Sequence, residues 1–139
     1  MTANTLSICV ATMNRPPTDL PQHVYVTDME IQHPDVASWF KLRGNGADVW
    51  FHYNDQENLG VVGAYQKLYE KVQSDVLLFL HDDVVCREQD WDLRLMAEFI
   101  DDPEVAVCGF GGALSHGLPE LYKVPYQLQQ LQRGSYMSN

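Results

Sequence analysis

A run of five apolar residues, Val76–Leu80, ends at the polar triplet His81-Asp82-Asp83, and no other segment restricts the possible folds as strongly. A continuous apolar run of this length is typical of a strand that is buried on both faces of a parallel sheet. Ligands of parallel α/β sheets bind beyond the carboxyl ends of the strands. The triplet therefore marks the edge at which we expect a functional site.

Strand-like and helix-like segments alternate on both sides of this run. Between Val61 and Val72, apolar residues recur every three or four positions, as they do in an amphipathic helix. Further helices are expected to begin near Pro34 and Asp90. The other predicted strands are 6–12, 23–27, 48–53 and 105–110. This order predicts an α/β fold in which helices cover a mostly parallel sheet.

The helix starts and the last segment are predicted from local residue types. We expect Asp35 and Asp90 to be the N-caps of the helices that follow them. The segment 113–139 is rich in glutamine and interrupted by prolines, so it is predicted to be irregular, with at most a short helix over 121–131. The length of 139 residues predicts a single domain over 1–139.

The composition excludes several classes of partner. The chain carries 9 Lys and Arg against 19 Asp and Glu, which gives a formal net charge of −10. Nucleic acids and anionic membranes are disfavoured, because affinity for both depends on clustered basic residues. No apolar run approaches the roughly 18 residues that span a bilayer, and we see no signal peptide. The three cysteines match no zinc pattern and suit a reducing compartment, so a cytoplasmic location is expected.

Two neighbouring carboxylates at the end of a buried strand form a potential site for a hard metal ion. Mg²⁺ or Mn²⁺ would use one or both of Asp82 and Asp83 and complete its shell with water and ligand phosphates. Two simpler interpretations remain open. The Asp-Asp pair is also common at the start of a solvated turn, and His81 is also consistent with a surface imidazole that binds nothing.

Three stretches of the sequence together resemble one protein family. They are Asn58-Leu59-Gly60-Val61-Val62-Gly63-Ala64-Tyr65-Gln66-Lys67, the segment from Ser74 to Val84 that contains the apolar run and its acidic end, and Ser7-Ile8-Cys9-Val10-Ala11-Thr12-Met13-Asn14-Arg15-Pro16. Together they resemble the inverting GT-A glycosyltransferases of family 2, over about residues 6–112. The resemblance implies a GT-A fold, which is a Rossmann-like three-layer sandwich with a mostly parallel sheet, here with a short C-terminal half.

The resemblance also implies which residues bind the donor. Asp83 would be the main metal ligand, supported by Asp82, with Mn²⁺ or Mg²⁺ as the cofactor. The chain departs from the family in that His81 replaces the first residue of the Asp-x-Asp motif and Gln66 replaces an Asn. The residues expected to bind the nucleotide-sugar are Thr12, Asn14, Arg15, Asp28, Asn58, Gly60, His81 and Asp82.

For four of these residues a structural interpretation stays open beside the functional one. Arg15 would equally suit a surface salt bridge in so acidic a protein. Asp28 also suits a turn. Asn58 and Gly60 also suit the plain start of a helix.

The activity that the resemblance implies is transfer of a sugar from a UDP- or GDP-sugar to an unknown acceptor. The family places its catalytic base beyond the fifth strand, where Glu120 and His116 are weak candidates. One alternative is a catalytically incomplete module that binds a nucleotide-sugar or serves as an oligomeric accessory, and a homo-oligomer is possible in either case. Another α/β phosphate-handling domain is disfavoured, because such domains carry their acidic cluster after the first strand, which here ends in Ala11-Thr12-Met13-Asn14.

Overall fold

The structure is a computed structural model that describes residues 5–16, 23–26, 33–111 and 130–135. Within these ranges the helices are α1 (Pro34–Lys41), α2 (Gly60–Lys71) and α3 (Trp91–Asp101). The strands are β1 (Leu6–Thr12), β2 (His23–Val26), β3 (Ala47–Tyr53), β4 (Val76–His81), β5 (Val105–Gly111) and β6 (Gln130–Ser135).

The first of two compact units, which extends to Met96, contains a four-stranded sheet in the order β2-β3-β1-β4. Strand β1 is parallel to both β3 and β4, whereas β2 is antiparallel to β3. The predicted α/β class with a mostly parallel sheet is therefore confirmed. Because Thr12 pairs with Tyr53 and Ala11 pairs with His81, the three parallel strands end at the same edge of the sheet.

Burial differs between the two apolar strands that the sequence predicts to be covered on both faces. Strand β1 meets the prediction, since it is the middle strand of the parallel trio and nearly all of its side chains are buried. For β4 the prediction is wrong. Leu78 and Leu80 are buried, but Phe79 is 43% exposed. Phe79 contacts Tyr65 of α2, but that helix packs mainly on β1 and β3, so this face of β4 is less completely covered.

The N-cap of helix α1 lies two residues earlier than the sequence predicts. His33 occupies the N-cap position without a side-chain hydrogen bond, and Pro34 is the first helical residue. The fixed φ of proline suits that position, and its missing N–H is not needed there. The prediction that Asp35 is the N-cap is therefore wrong. Asp35 lies in the first turn, where its charge still opposes the positive end of the helix dipole.

Asp90 directly precedes α3, as predicted, and adopts a left-handed backbone conformation with a φ of 59°. Its carbonyl oxygen accepts a hydrogen bond from the Leu93 N–H at 3.1 Å, which begins the helix. Its carboxylate accepts a hydrogen bond from the Gln89 side chain at 3.0 Å. On the predicted apolar face, Trp91 and Leu95 are buried, whereas Ile100 is exposed.

The second compact unit begins at Ala97. It contains β5, which confirms the fifth predicted strand, and β6, which pairs with β5 in antiparallel orientation. The segment 113–139 is predicted to be irregular, and this is wrong for residues 130–135, which form β6. Residues 121–129 of the possible short helix lie outside the described residues. The organisation as one domain stays a prediction.

Candidate functional site

The carboxyl ends of β1 and β4 are joined by side-chain hydrogen bonds. The Thr12 hydroxyl donates to Oδ2 of Asp82 at 2.5 Å, and Nδ2 of Asn14 donates to the same oxygen at 3.4 Å. The backbone N–H of Asn14 in turn donates to the Thr12 hydroxyl oxygen at 3.0 Å. Three of the residues singled out by the sequence are thus brought together at one edge of the sheet.

Asn54 connects this group to the start of α2, and the sequence gives no hint of that role. Its backbone N–H donates to the carbonyl oxygen of Thr12 at 2.8 Å. Its side chain accepts a hydrogen bond from the Leu59 N–H at 3.4 Å and donates one to the Gly60 carbonyl at 3.2 Å. Asn54 is buried, so these bonds are shielded from water.

Asn58 and Gly60 shape the first turn of α2. Oδ1 of Asn58 accepts a hydrogen bond from the Gly60 N–H at 2.9 Å. Gly60 has a φ of +72°, a conformation that residues with a β-carbon seldom adopt. Both residues therefore help to form the start of the helix, although Leu59 and not Asn58 is the N-cap and Gly60 is the first helical residue. Their predicted contact with a ligand stays a prediction.

Arg15 forms an ion pair at the same end of the sheet. Its guanidinium binds the Asp55 carboxylate through Nε at 2.9 Å and Nη2 at 3.0 Å, and lies 4.9 Å from the ring centre of Tyr53. The hydrogen bond from Arg15 holds the pKa of Asp55 below its ordinary value. The structure thus shows the salt bridge that was the alternative interpretation. A phosphate would have to compete with Asp55 for this guanidinium.

The acidic turn, which we define as Asp82 and Asp83, follows directly after β4. His81 and Asp83 are exposed, and Asp82 is half-buried. The residues after the turn are tied to α1: the indole N–H of Trp39 donates to the Val84 carbonyl at 2.7 Å, and the Cys86 N–H donates to the Ser38 hydroxyl at 2.8 Å. One side of the turn is therefore anchored to β1 and the other to α1.

Asp92, the next carboxylate of interest along the chain, accepts hydrogen bonds from backbone N–H groups at both of its oxygens. Asp92 is 2% exposed and accepts hydrogen bonds from the N–H groups of Gly44 at 2.6 Å and Asn45 at 2.8 Å. Sequence reasoning did not single it out. Its only signal is an acidic residue in the first turn of a helix, which is too common a feature to indicate a buried contact.

Two buried polar atoms near the acidic turn lack a hydrogen-bond partner within the described residues, namely Nε2 of His33 and the hydroxyl of Tyr65. Burial lowers the pKa of His33, and the negative charge of Asp82 partly opposes that shift. Burial raises the pKa of Tyr65 to about 12, and the negative charge of Asp82, like that of Cys9 where its thiol ionises, acts in the same direction. The Tyr65 phenol is therefore neutral near pH 7 and remains a hydrogen-bond donor.

The carboxylate oxygens of the acidic turn are suitable ligands for a hard divalent cation such as Mg²⁺ or Mn²⁺. Within the described residues, no group of three His, Cys, Asp or Glu side chains is arranged to hold a metal by itself. Mg²⁺ and Mn²⁺ need only one or two carboxylates when phosphate oxygens and water complete their shell. The exposed carboxylate of Asp83 and the second oxygen of Asp82 suit that arrangement. The turn therefore fits a cation that is shared with a phosphate ligand.

Three predicted residues lie outside the described residues: Asp28, His116 and Glu120. Their roles stay predictions. None of the helices in the described part of the chain has the length and hydrophobicity needed to span a bilayer.

A mostly parallel α/β sheet with a polar, acidic carboxyl edge defines a small Rossmann-like protein, in agreement with a GT-A fold. The particular family follows from a match between residues 45–128 and the family model described as Glycosyl transferase family 2. The match covers more than half of the chain, so the chain belongs to this family. It includes β3, α2 and the acidic turn, whereas Thr12 and Asn14 precede it. No curated protein and no solved structure matches the chain significantly.

Proposed function

We propose that this chain binds a nucleotide-diphospho-sugar, with UDP or GDP as the nucleotide, at the carboxyl edge of the sheet and transfers the sugar to an acceptor. One observation carries the proposal: in a member of this family, Asp82 is hydrogen-bonded to Thr12 and Asn14 at the ends of adjacent parallel strands. Ligands of parallel α/β sheets bind at such an edge.

In this proposal Asp83 is the main metal ligand and Asp82 a second one. Thr12 and Asn14 hold one oxygen of Asp82 and so orient the other. A divalent cation supplies positive charge against the departing nucleoside diphosphate. The protein needs such local charge, because a net charge of −10 otherwise repels a diphosphate.

In this proposal the remaining contacts to the nucleotide-sugar come from the start of α2 and the end of β4. Asn58 and Gly60 set the conformation of the first turn of α2, whose N-terminal end favours negative charge. His81 is exposed directly beside the acidic turn and is proposed to contact the ligand. Arg15 would join these contacts only by leaving Asp55.

Binding is tested by thermal unfolding with UDP or GDP, with and without Mn²⁺. Nucleotide at about a hundred times its dissociation constant should raise the free energy of unfolding by close to 3 kcal/mol, and only when Mn²⁺ is present. Asp83→Asn should abolish this stabilisation. Asp101→Asn is the matched control, since Asp101 is also an exposed carboxylate but lies at the end of α3. Equal loss in both variants, or stabilisation independent of Mn²⁺, would contradict the proposed site.

Turnover is tested separately, because an alternative function is a nucleotide-sugar-binding module without catalysis. Release of UDP or GDP from the corresponding nucleotide-sugars should depend on Mn²⁺ and be lost in Asp83→Asn. Binding without release favours the module. Glu120→Gln and His116→Gln then show whether either predicted base is needed, because loss of turnover with unchanged binding identifies a residue that acts in the chemical step.

A further inference from the structure

The hydroxyl group of Tyr65 is a buried donor with no hydrogen-bond partner within the described residues. Buried tyrosine hydroxyls usually find a partner, and an unsatisfied one costs free energy. Such a group in a folded protein calls for an explanation. One explanation is that the partner arrives only in another state of the protein.

Tyr65 is held in place by its ring. The ring centre lies 4.9 Å from that of Phe79 and 6.4 Å from that of His81, both of which belong to β4. The side chain also packs against the buried cluster of Cys9, Leu68 and Val72. The ring of Tyr65 therefore packs between the body of its own helix, α2, and β4, the strand that leads into the acidic turn.

The acidic turn differs from Tyr65 in both exposure and chemistry. Asp83 is exposed, whereas Asp82 is half-buried and held by Thr12 and Asn14, so Asp83 is the residue of the turn with more freedom to adjust. They also carry oxygen acceptors, whereas the neutral Tyr65 phenol is a donor. The charge of Asp82 already acts on the phenol. The turn therefore offers acceptors to a neighbouring donor that lacks one within the described residues.

We propose that Tyr65 is a positioning residue of the nucleotide-sugar site, whose hydroxyl donates to an oxygen of the segment His81–Asp83 when ligand binds. The new hydrogen bond would fix the acidic turn in the conformation that holds the ligand. The inference rests on the proposed function, because it requires that a nucleotide and a metal ion bind at the acidic turn. It adds a residue on α2 that does not itself contact the nucleotide.

The test compares two tyrosines of the same helix. Tyr65→Phe removes only the hydroxyl and keeps the ring beside Phe79. Tyr69→Phe makes the same change at a side chain that is 62% exposed. The dissociation constants of UDP and of GDP in the presence of Mn²⁺ are measured by calorimetry for both variants and the unchanged protein. We expect Tyr65→Phe to weaken binding about three- to tenfold, the value of one hydrogen bond, and Tyr69→Phe to leave it unchanged.

The melting temperature without ligand separates positioning from a merely structural role. Removing a hydroxyl that has no partner should leave the melting temperature of Tyr65→Phe equal or higher. A clear decrease would show that the hydroxyl is already bonded, and would overturn the inference. Equal affinity of Tyr65→Phe and the unchanged protein, or equal weakening in Tyr69→Phe, would also overturn it while leaving the proposed function intact. Failure of the unchanged protein to bind either nucleotide would remove the proposed function and this inference together.

Discussion

The acidic turn and Asp92 place carboxylates in opposite situations. Asp92 is buried, and both of its oxygens accept hydrogen bonds from backbone N–H groups. In the turn, the hydrogen bonds that Asp82 accepts within the described residues all go to one oxygen, and Asp83 is exposed. A buried carboxylate with both oxygens hydrogen-bonded stabilises the fold, whereas an exposed one at the end of a strand can bind a ligand. The difference lies in the partners and not in the residue type.

The largest expected effect on stability is that of Asp92→Ala. It removes the charged acceptor of two backbone N–H groups, those of Gly44 and Asn45. Because a hydrogen bond to a charged group contributes about 1.5–3 kcal/mol, the free energy of unfolding should fall by about 3 kcal/mol. Asp83→Ala should change it by less than about 0.5 kcal/mol, because the side chain is exposed. Urea unfolding of both variants measures the difference. Similar losses in the two variants would remove the contrast between the two carboxylates.

Variants of Trp39 and Trp91 distinguish the effect of anchoring the acidic turn from the effect of core packing. The Trp39 indole binds the Val84 carbonyl at 2.7 Å, and the Trp91 indole binds the Trp39 carbonyl at the same distance. Replacement of either residue by Phe should cost about 2 kcal/mol of stability, through one lost hydrogen bond and a smaller ring. Only Trp39→Phe should also weaken binding of UDP with Mn²⁺. Equal weakening in Trp91→Phe would indicate a general loosening of the fold.

Thr12 tests whether the orientation of Asp82 matters. Thr12→Val keeps the shape of the side chain but removes the hydroxyl that bonds to Asp82 and Asn14. We expect a loss of about 1 kcal/mol in the free energy of unfolding and weaker nucleotide binding. Thr12→Ser restores the hydroxyl and should recover most of the affinity. If Thr12→Ser binds as weakly as Thr12→Val, the methyl group and its packing matter more than the hydrogen bond.

The smallest expected effect is on pH dependence. Burial lowers the pKa of His33 and His52 below the ordinary value of 6.5. In the window below about 6.5 the unfolded chain then binds more protons than the folded one, so stability is complete above this window and falls as the pH falls through it. Urea unfolding between about pH 7.5 and 5.5 measures the decline. A stability that rises on acidification over this range would contradict the buried, neutral state of both imidazoles.

The same two histidines also report on the charge of Asp82. The charge of Asp82 opposes the lowered pKa of His33, whereas Glu57 and Lys67 are the charges that act on His52. NMR titration of Asp82→Asn should therefore show a further decrease in the pKa of His33 and no change for His52. A shift of both imidazoles would indicate a change of structure instead of the loss of one charge.

The order of strands and helices was predicted well from the sequence, because local patterns of apolar residues determine it. The run Val76–Leu80 and the spacing along α2 both gave the correct element type. The same patterns failed for β4, where exposure of Phe79 depends on how far α2 extends over the sheet. They also failed for the start of α1, where Pro34 determined the first helical residue.

Within the candidate site, the sequence singled out the residues at the strand ends but not the residues that hold them. Thr12, Asn14 and Asp82 followed from their positions after predicted strands and from the family resemblance. The bond between the Trp39 indole and the Val84 carbonyl joins residues 45 positions apart and has no periodic signal. Asn54 and Asp92 are likewise defined by contacts formed only after the chain has folded.

Asn54 has one further consequence for how the site responds to a ligand. It is bonded on one side to the last residue of β1 and on the other to the first turn of α2. A displacement of either element is therefore passed to the other through the hydrogen bonds of this one residue. A ligand that displaces the start of α2 should therefore also displace the end of β1, so the two elements are expected to move together.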